Sequence, residues 1–167
     1  MSENTTYHFI VRDEDPTGNV SANTQVVTIE VEDLTAPVFP VGISSLTNGV
    51  SPNEETQLVA GWTAIKNETE DNLAGAATYE IYRLSGSGDA CSDGSYIDSV
   101  TASPEGTGQS YALTGLTART QYSVCVKAKD SANNLSATTV DLERYTWDTT
   151  APTFDPIDPL TYDAVSY

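Results

Sequence analysis

One seven-residue phrase occurs twice, and it constrains this chain more than any other feature. Asp33-Leu34-Thr35-Ala36-Pro37-Val38-Phe39 returns as Asp148-Thr149-Thr150-Ala151-Pro152-Thr153-Phe154, with Asp, Thr, Ala, Pro and Phe in the same places and a spacing of 115 residues (Asp33 to Asp148). A second pair agrees in register: Gly18-Asn19-Val20-Ser21 precedes Asn133-Asn134-Leu135-Ser136 by the same distance, each after alternating apolar residues and an Asp (Asp13, Asp130). Repetition at a fixed spacing places the ends of two related modules in view. Proline fixes φ, restricts the residue before it and cannot donate to a sheet, so each Thr-Ala-Pro reads as a joint where one strand-rich module stops and the next starts. This cuts the chain into residues 1–34, the last strands of one module; 35–150, a complete module; and 151–167, the first strand of a third. A lone hairpin is marginal in water, so the end pieces are expected to dock on the central module, pair with another chain or stay loose.

Within 35–150 the apolar pattern has period two, broken by clusters of Gly, Asn, Asp, Ser and Pro, and no stretch keeps helical spacing. Strands are expected near Val41–Leu46, from Thr56 through Leu58, Ala60 and Trp62, at Tyr79–Ile81, Tyr96–Val100, Tyr111–Leu113, Tyr122–Ala128 and Ala137–Tyr145. Short strands in that number predict an all-β fold, a seven-stranded antiparallel two-sheet sandwich.

Charge removes several function classes. Lys and Arg total 7 against 24 Asp and Glu, a formal net charge of -17, so a nucleic acid backbone or an anionic lipid surface would repel the chain. Hydrophobic residues make up 38% of it, with 9 Tyr and 3 Phe, which separates it from disordered acidic tails. No apolar run reaches the roughly 20 residues of a membrane span, and the opening MSENTTYHFIV lacks the basic start and apolar stretch of a signal peptide.

At this point the central segment resembles the fibronectin type III family, in the form found in bacterial extracellular proteins. Trp62 falls on the family's second-strand tryptophan, and Tyr79-Glu80-Ile81-Tyr82-Arg83 on its third-strand pattern. Leu116-Thr117-Ala118-Arg119-Thr120-Gln121-Tyr122-Ser123-Val124-Cys125-Val126-Lys127-Ala128 is similar to the family's Leu-x-Pro-x-Thr-x-Tyr-x-Val-x-Val-x-Ala, with Ala118 in place of its proline. The resemblance implies an immunoglobulin-like sandwich in which Trp62, Tyr79, Leu116 and Tyr122 carry stability, the Tyr122 hydroxyl bonding back upstream to lock a corner. Residues 1–34, with Tyr7-x-Phe9-x-Val11 and Val27-x-Ile29-x-Val31, are similar to the last two strands of a fibronectin-like, other immunoglobulin-like or cadherin-like repeat.

Three groups of side chains are candidates for more than packing. If Val124 and Val126 face the core, Cys125 points outward; Cys91 sits in the Gly- and Ser-rich insertion 85–94, and a loop folding across the sheet would join the two sulfurs. The alternatives are a disulfide, which implies an oxidising compartment outside the cytoplasm, and two free thiols. Asp13, Asp15, Glu30, Glu32 and Asp33 are expected to flank a joint, where Ca²⁺ would find hard oxygen ligands; the competing account is a solvated acidic surface. Tyr82, Tyr145 and Trp147 form either a sugar-stacking platform or packing against the next module. No other cofactor is implied, and neither the group Glu68, Glu70, Asp71 nor the single histidine, His8, has the arrangement that catalysis needs.

The expected function is a non-catalytic structural or adhesive module of a bacterial extracellular tandem-repeat protein. Its partners are then the neighbouring repeats, with other surface proteins or polysaccharides, and neither nucleic acid nor membrane. The alternatives are an accessory spacer or carbohydrate-binding module of a secreted polysaccharide hydrolase, and a Ca²⁺-stiffened adhesin repeat.

Overall fold

A computed structural model of the chain describes residues 1–68, 74–137 and 140–153. Among them every regular element is a strand: β1 (Thr5–Phe9), β2 (Val27–Val31), β3 (Ser45–Asn48), β4 (Leu58–Thr63), β5 (Thr78–Ser85), β6 (Ser95–Thr101), β7 (Gly108–Leu113), β8 (Gln121–Lys129) and β9 (Asp141–Tyr145). All ladders that join them are antiparallel. β1 and β2 form a hairpin; β3-β4-β7 and β6-β5-β8-β9 form the two sheets of a sandwich.

Alternation builds the core. Leu58, Ala60 and Trp62 of β4, Tyr79 and Ile81 of β5, and Tyr122, Val124 and Val126 of β8 all turn inward and are buried together. Full burial of side chains of this size stabilises by about 1.5–3 kcal/mol each. Phe39, which follows the first Thr-Ala-Pro, drops into the same core with its ring 5.2 Å from that of Tyr79. The joint is thereby anchored to the sandwich by an aromatic side chain.

The seven expected strands of the sandwich are present, with two boundaries moved. The first begins at Ser45 rather than Val41, because Gly42 takes a φ of 62°, a left-handed conformation that no strand accommodates, and Ile43 reaches the core from irregular backbone. The last begins at Asp141 rather than Ala137; residues 138 and 139 lie outside the described residues. Most of the expected first strand of a third module, 154–167, also lies outside them.

Candidate functional site

The corner before β8 is closed by a buried tyrosine. Tyr122 is 6% exposed, and its hydroxyl accepts a hydrogen bond from the Thr117 amide at 3.0 Å. Arg119 turns the chain with a φ of 56°, and the Thr120 hydroxyl donates to the Ala118 carbonyl at 3.1 Å. Leu116 is buried beneath. Tyr79 uses its hydroxyl in the same way, accepting from the Ile65 amide at 2.8 Å. Burial raises its pKa above the ordinary 10.0 although that amide bond pulls it down.

The hairpin repeats this design. The Tyr7 hydroxyl accepts from the Ser2 amide at 2.7 Å, Asn4 has a φ of 52°, and the Thr5 hydroxyl donates to the Glu3 carbonyl at 3.0 Å. Each atom pair is the earlier one displaced by 115 positions, the Tyr7 to Tyr122 spacing. The turn after the strand recurs too. Asp15 accepts the Asn19 amide and side-chain amide at 2.8 and 2.8 Å, and Asp130 accepts those of Asn134 at 2.7 and 2.8 Å. Gly18 and Asn133, at φ 88° and 75°, occupy the same left-handed position. Held by Asn19 and Thr17, the Asp15 carboxyl lies far below the usual carboxylate range.

This second turn secures the joint. The Asn134 side chain donates to the Asp33 carbonyl at 3.1 Å, while the Asp33 carboxylate accepts the Thr35 amide at 2.9 Å and is buried. The Thr35 hydroxyl reaches back to Glu3 of the hairpin. At the second joint Asp148 accepts the Thr150 amide at 3.0 Å and pairs with Arg119 at 3.4 Å. Glu55 accepts the amide and hydroxyl of Thr149, bonds that hold its carboxyl below its ordinary value. Beside the first joint lies an apolar groove of about 500 Å³ whose walls include Val38, Pro40, Val41 and Ile65.

On the outer face of the larger sheet, Cys91 and Cys125 are bonded, with Cα atoms 5.2 Å apart. Cys125 therefore points outward from its sheet, as alternation with Val124 and Val126 requires. The insertion lies over the sheet because Asp89 nucleates a tight turn, accepting the amides of Cys91 and Ser92 at 2.8 and 3.1 Å, and Gly88 donates to Glu143 at 3.0 Å. The Ser92 hydroxyl bond is the main cause that keeps the Asp89 carboxyl below its usual range. Next to the disulfide, Lys129 pairs with Glu80 at 2.9 Å, Glu80 accepts the Tyr82 hydroxyl at 2.5 Å, and the Lys127 ammonium sits 4.9 Å from the Tyr82 ring centre. Burial, then the Glu80 bond, push the Tyr82 phenol well above its ordinary pKa.

Two expected groupings do not form. The hairpin register, Thr5 with Val31 and Phe9 with Val27, sends Asp13 and Asp15 beyond one end of the hairpin while Glu30, Glu32 and Asp33 sit at the other. The five acids are therefore not one ligand set, and among the described residues no three metal-ligating side chains gather. Tyr82 shares an outer face with Tyr145, but it pairs with Cys125 and Tyr145 with Gln121, four residues away along β8, and the disulfide-pinned loop lies between them. Tyr145 and Trp147, two residues apart in sequence, are 60% and 53% exposed, at the end of the sandwich that carries the second joint. Glu68 accepts the Ser131 amide and hydroxyl, Glu70 and Asp71 lie outside the described residues, and His8 pairs with Thr28 on the hairpin. The second tyrosine corner, at Tyr7, escaped the reading of residues 1–34; its signal was the spacing from Tyr122.

Solved structures with the same architecture include the FN1–FN3 domains of chicken CNTN1, with a TM-score of 0.54, 18% identity, and coverage of 89% of this chain and 45% of that one. An fn3 domain of human contactin 1 aligns with a TM-score of 0.50 and 15% identity over 76% of this chain and 94% of its own. The fold is that of a fibronectin type III domain. No family model matches the sequence. The chain is 31% identical to exoglucanase B of Cellulomonas fimi over 147 residues, 85% of this chain and 11% of that protein. It is 33% identical to endoglucanase B of the same organism over 144 residues, and 29% identical to chitinase A1 of Niallia circulans over 142, each match covering 82% of this chain. The matches span 11%, 12% and 17% of those proteins' lengths, so the likeness is to one small part of each.

Proposed function

We propose that this chain is a stretch of a tandem fibronectin type III array that serves as a non-catalytic spacer in an extracellular polysaccharide-degrading protein. The observation that carries the reading is the recurrence, bond for bond at 115 residues, of tyrosine corner, Asp-Asn turn and Thr-Ala-Pro joint. On this reading residues 1–34 are the closing strands of one repeat, 35–150 a complete one, and 151 onward the entry to the next. A spacer needs defined reach, and the joint supplies it: Phe39 buried in the core, Pro37 limiting the backbone, and Asn134 gripping the Asp33 carbonyl together fix the angle at which one repeat leaves the next. Support for the parent protein comes from relatives named as glucanases and chitinases, each matched over a small share of its length. The disulfide supports an oxidising, extracytoplasmic setting.

Small-angle scattering of the chain tests the mechanical part. The hairpin and sandwich are expected to scatter as one body with a narrow distribution of distances, and Asn134→Ala to broaden it; an equally broad distribution in both refutes the locked joint. Excising residues 35–150 from the parent polypeptide tests the role. Turnover of a soluble substrate is expected to persist while attack on an insoluble polymer falls, and equal loss on both overturns the spacer reading.

A further inference from the structure

The two joints share their buried parts and differ where they face water. Displaced by 115 positions, Glu30 becomes Tyr145 and Glu32 becomes Trp147. At the first joint, where a sandwich is docked, Glu30 and Glu32 remain exposed. They line an open cleft shared with Ser131 and Asn134 of that sandwich, and the same placement would put Tyr145 and Trp147 at the wall of a solvent-open cleft when a following repeat docks. Their backbone is ordered by the corner: Thr146 between them is buried, its hydroxyl donating to the Thr117 carbonyl at 2.6 Å and its amide to the Thr120 carbonyl at 3.1 Å. The Arg119 amide continues the pairing to the Trp147 carbonyl at 3.4 Å. Extended backbone then puts both aromatic side chains on one face, with Cα atoms about 7 Å apart. Their cross-strand neighbours are Gln121 and Arg119. Glu143, two residues before Tyr145 on the same strand, is occupied by the Gly88 amide and the Gln121 side chain, and Arg119 pairs with Asp148 at 3.4 Å.

We propose that Tyr145 and Trp147 form a stacking platform for a neutral polysaccharide chain, with the Arg119–Asp148 pair and the Gln121 side chain at its rim. An aromatic pair with polar groups at its rim fits a pyranose, whose faces are apolar and whose edge is hydroxylated. Neutrality follows from charge: a chain of net charge -17 repels polyanions. The inference rests on the reading of the parent as a polysaccharide-degrading protein, and adds to the spacer a contact with the polymer. Tyr82, expected to join this platform, takes no part in it.

The test is affinity electrophoresis of the whole chain in native gels containing a soluble neutral β-glucan, alongside fluorescence titration with chitin oligosaccharides. The chain has 2 tryptophans, and Trp62 is 2% exposed in the core, so a ligand-dependent change in emission reads Trp147. Retardation in the glucan or a shift with the chitin oligomers is expected, and the arm that responds names the sugar. Trp147→Ala and Tyr145→Ala should each weaken binding roughly three- to tenfold, Trp147→Tyr should retain most of it, and Tyr82→Phe should leave it unchanged. No response in either arm overturns the proposal, as does binding that survives both alanine substitutions. An unretarded chain that still scatters as one body refutes the sugar contact alone, whereas the spacer reading falls on the scattering and excision results.

Discussion

The two tyrosine corners offer a controlled comparison, because the same hydrogen bond is made in two environments. The Tyr122 phenol oxygen accepts from the Thr117 amide inside the sandwich, at 6% exposure, whereas that of Tyr7 accepts from the Ser2 amide on an exposed hairpin. Replacing either residue by Phe keeps the ring and deletes the acceptor. In the sandwich the Thr117 amide then loses its partner at a half-buried corner, which costs about 1–2 kcal/mol. On the hairpin, water replaces the lost acceptor, and the change is expected within about 0.5 kcal/mol. With unfolding entropy near 2.1 cal/mol/K per residue, the first loss lowers the melting temperature by about 4–8 °C for a sandwich of this size. Urea unfolding of wild type, Tyr122→Phe and Tyr7→Phe, followed by tryptophan fluorescence, measures both. The core probe Trp62 belongs to the sandwich, so the transition seen is the relevant one. Equal effects from the two substitutions would mean that burial does not set the worth of the corner bond, and no effect from Tyr122→Phe would mean that the corner is not formed.

Two further outcomes follow from the outer face of the larger sheet. The Cys91–Cys125 bond closes a 34-residue separation, for which chain entropy predicts about 3–4 kcal/mol, so Cys91→Ala with Cys125→Ala should lower the urea midpoint by that equivalent; an unchanged midpoint would show the loop to be held by its other contacts. Glu80 is partly desolvated, which raises its pKa, but the Lys129 and Tyr82 bonds outweigh this and the net shift is downward from 4.5. A depressed folded-state pKa contributes stability that is whole above 4.5 and drains away as pH falls through the folded value, so Glu80→Gln should flatten the decline of stability below pH 4.5 while leaving wild type the more stable at neutral pH; parallel curves for the two proteins would contradict the assignment.

How much of this was legible beforehand depended on whether a feature is local or needs the direction of a neighbour. Cys125 between two inward valines fixes its own facing by strand parity, and the turn-rich insertion around Cys91 had to cross the sheet to reach it, so the bond was readable. Tyr122 was readable from its own sequence context. The acidic set was misplaced because both Asp13 and Glu32 stand near apolar runs, yet in an antiparallel hairpin the end of the first strand meets the start of the second. Tyr82 and Tyr145 do share a face, as alternation requires; what separates them is the path of a nine-residue loop, 86–94, whose course is set by Asp89 and Gly88 and carries no periodic signal. The first strand started late because a single left-handed Gly42 interrupts an otherwise strand-like run.

The 115-residue repetition divides the residues by role more sharply than either copy does alone. Positions that recur unchanged, Tyr7 with Tyr122, Asp15 with Asp130, Asn19 with Asn134 and Asp33 with Asp148, all accept or donate bonds that fix backbone direction. Positions that differ, Asn4 against Arg119, Glu30 against Tyr145 and Glu32 against Trp147, point to water at the joints. Arg119 and Asn4 make the case clearest, since both hold a positive φ while their side chains differ in length and charge. Geometry is therefore held constant from repeat to repeat, and surface chemistry changes on top of it. A chemistry particular to this repeat then belongs on the exposed, non-repeated positions near the second joint, and there the sequence places two aromatic rings and an arginine.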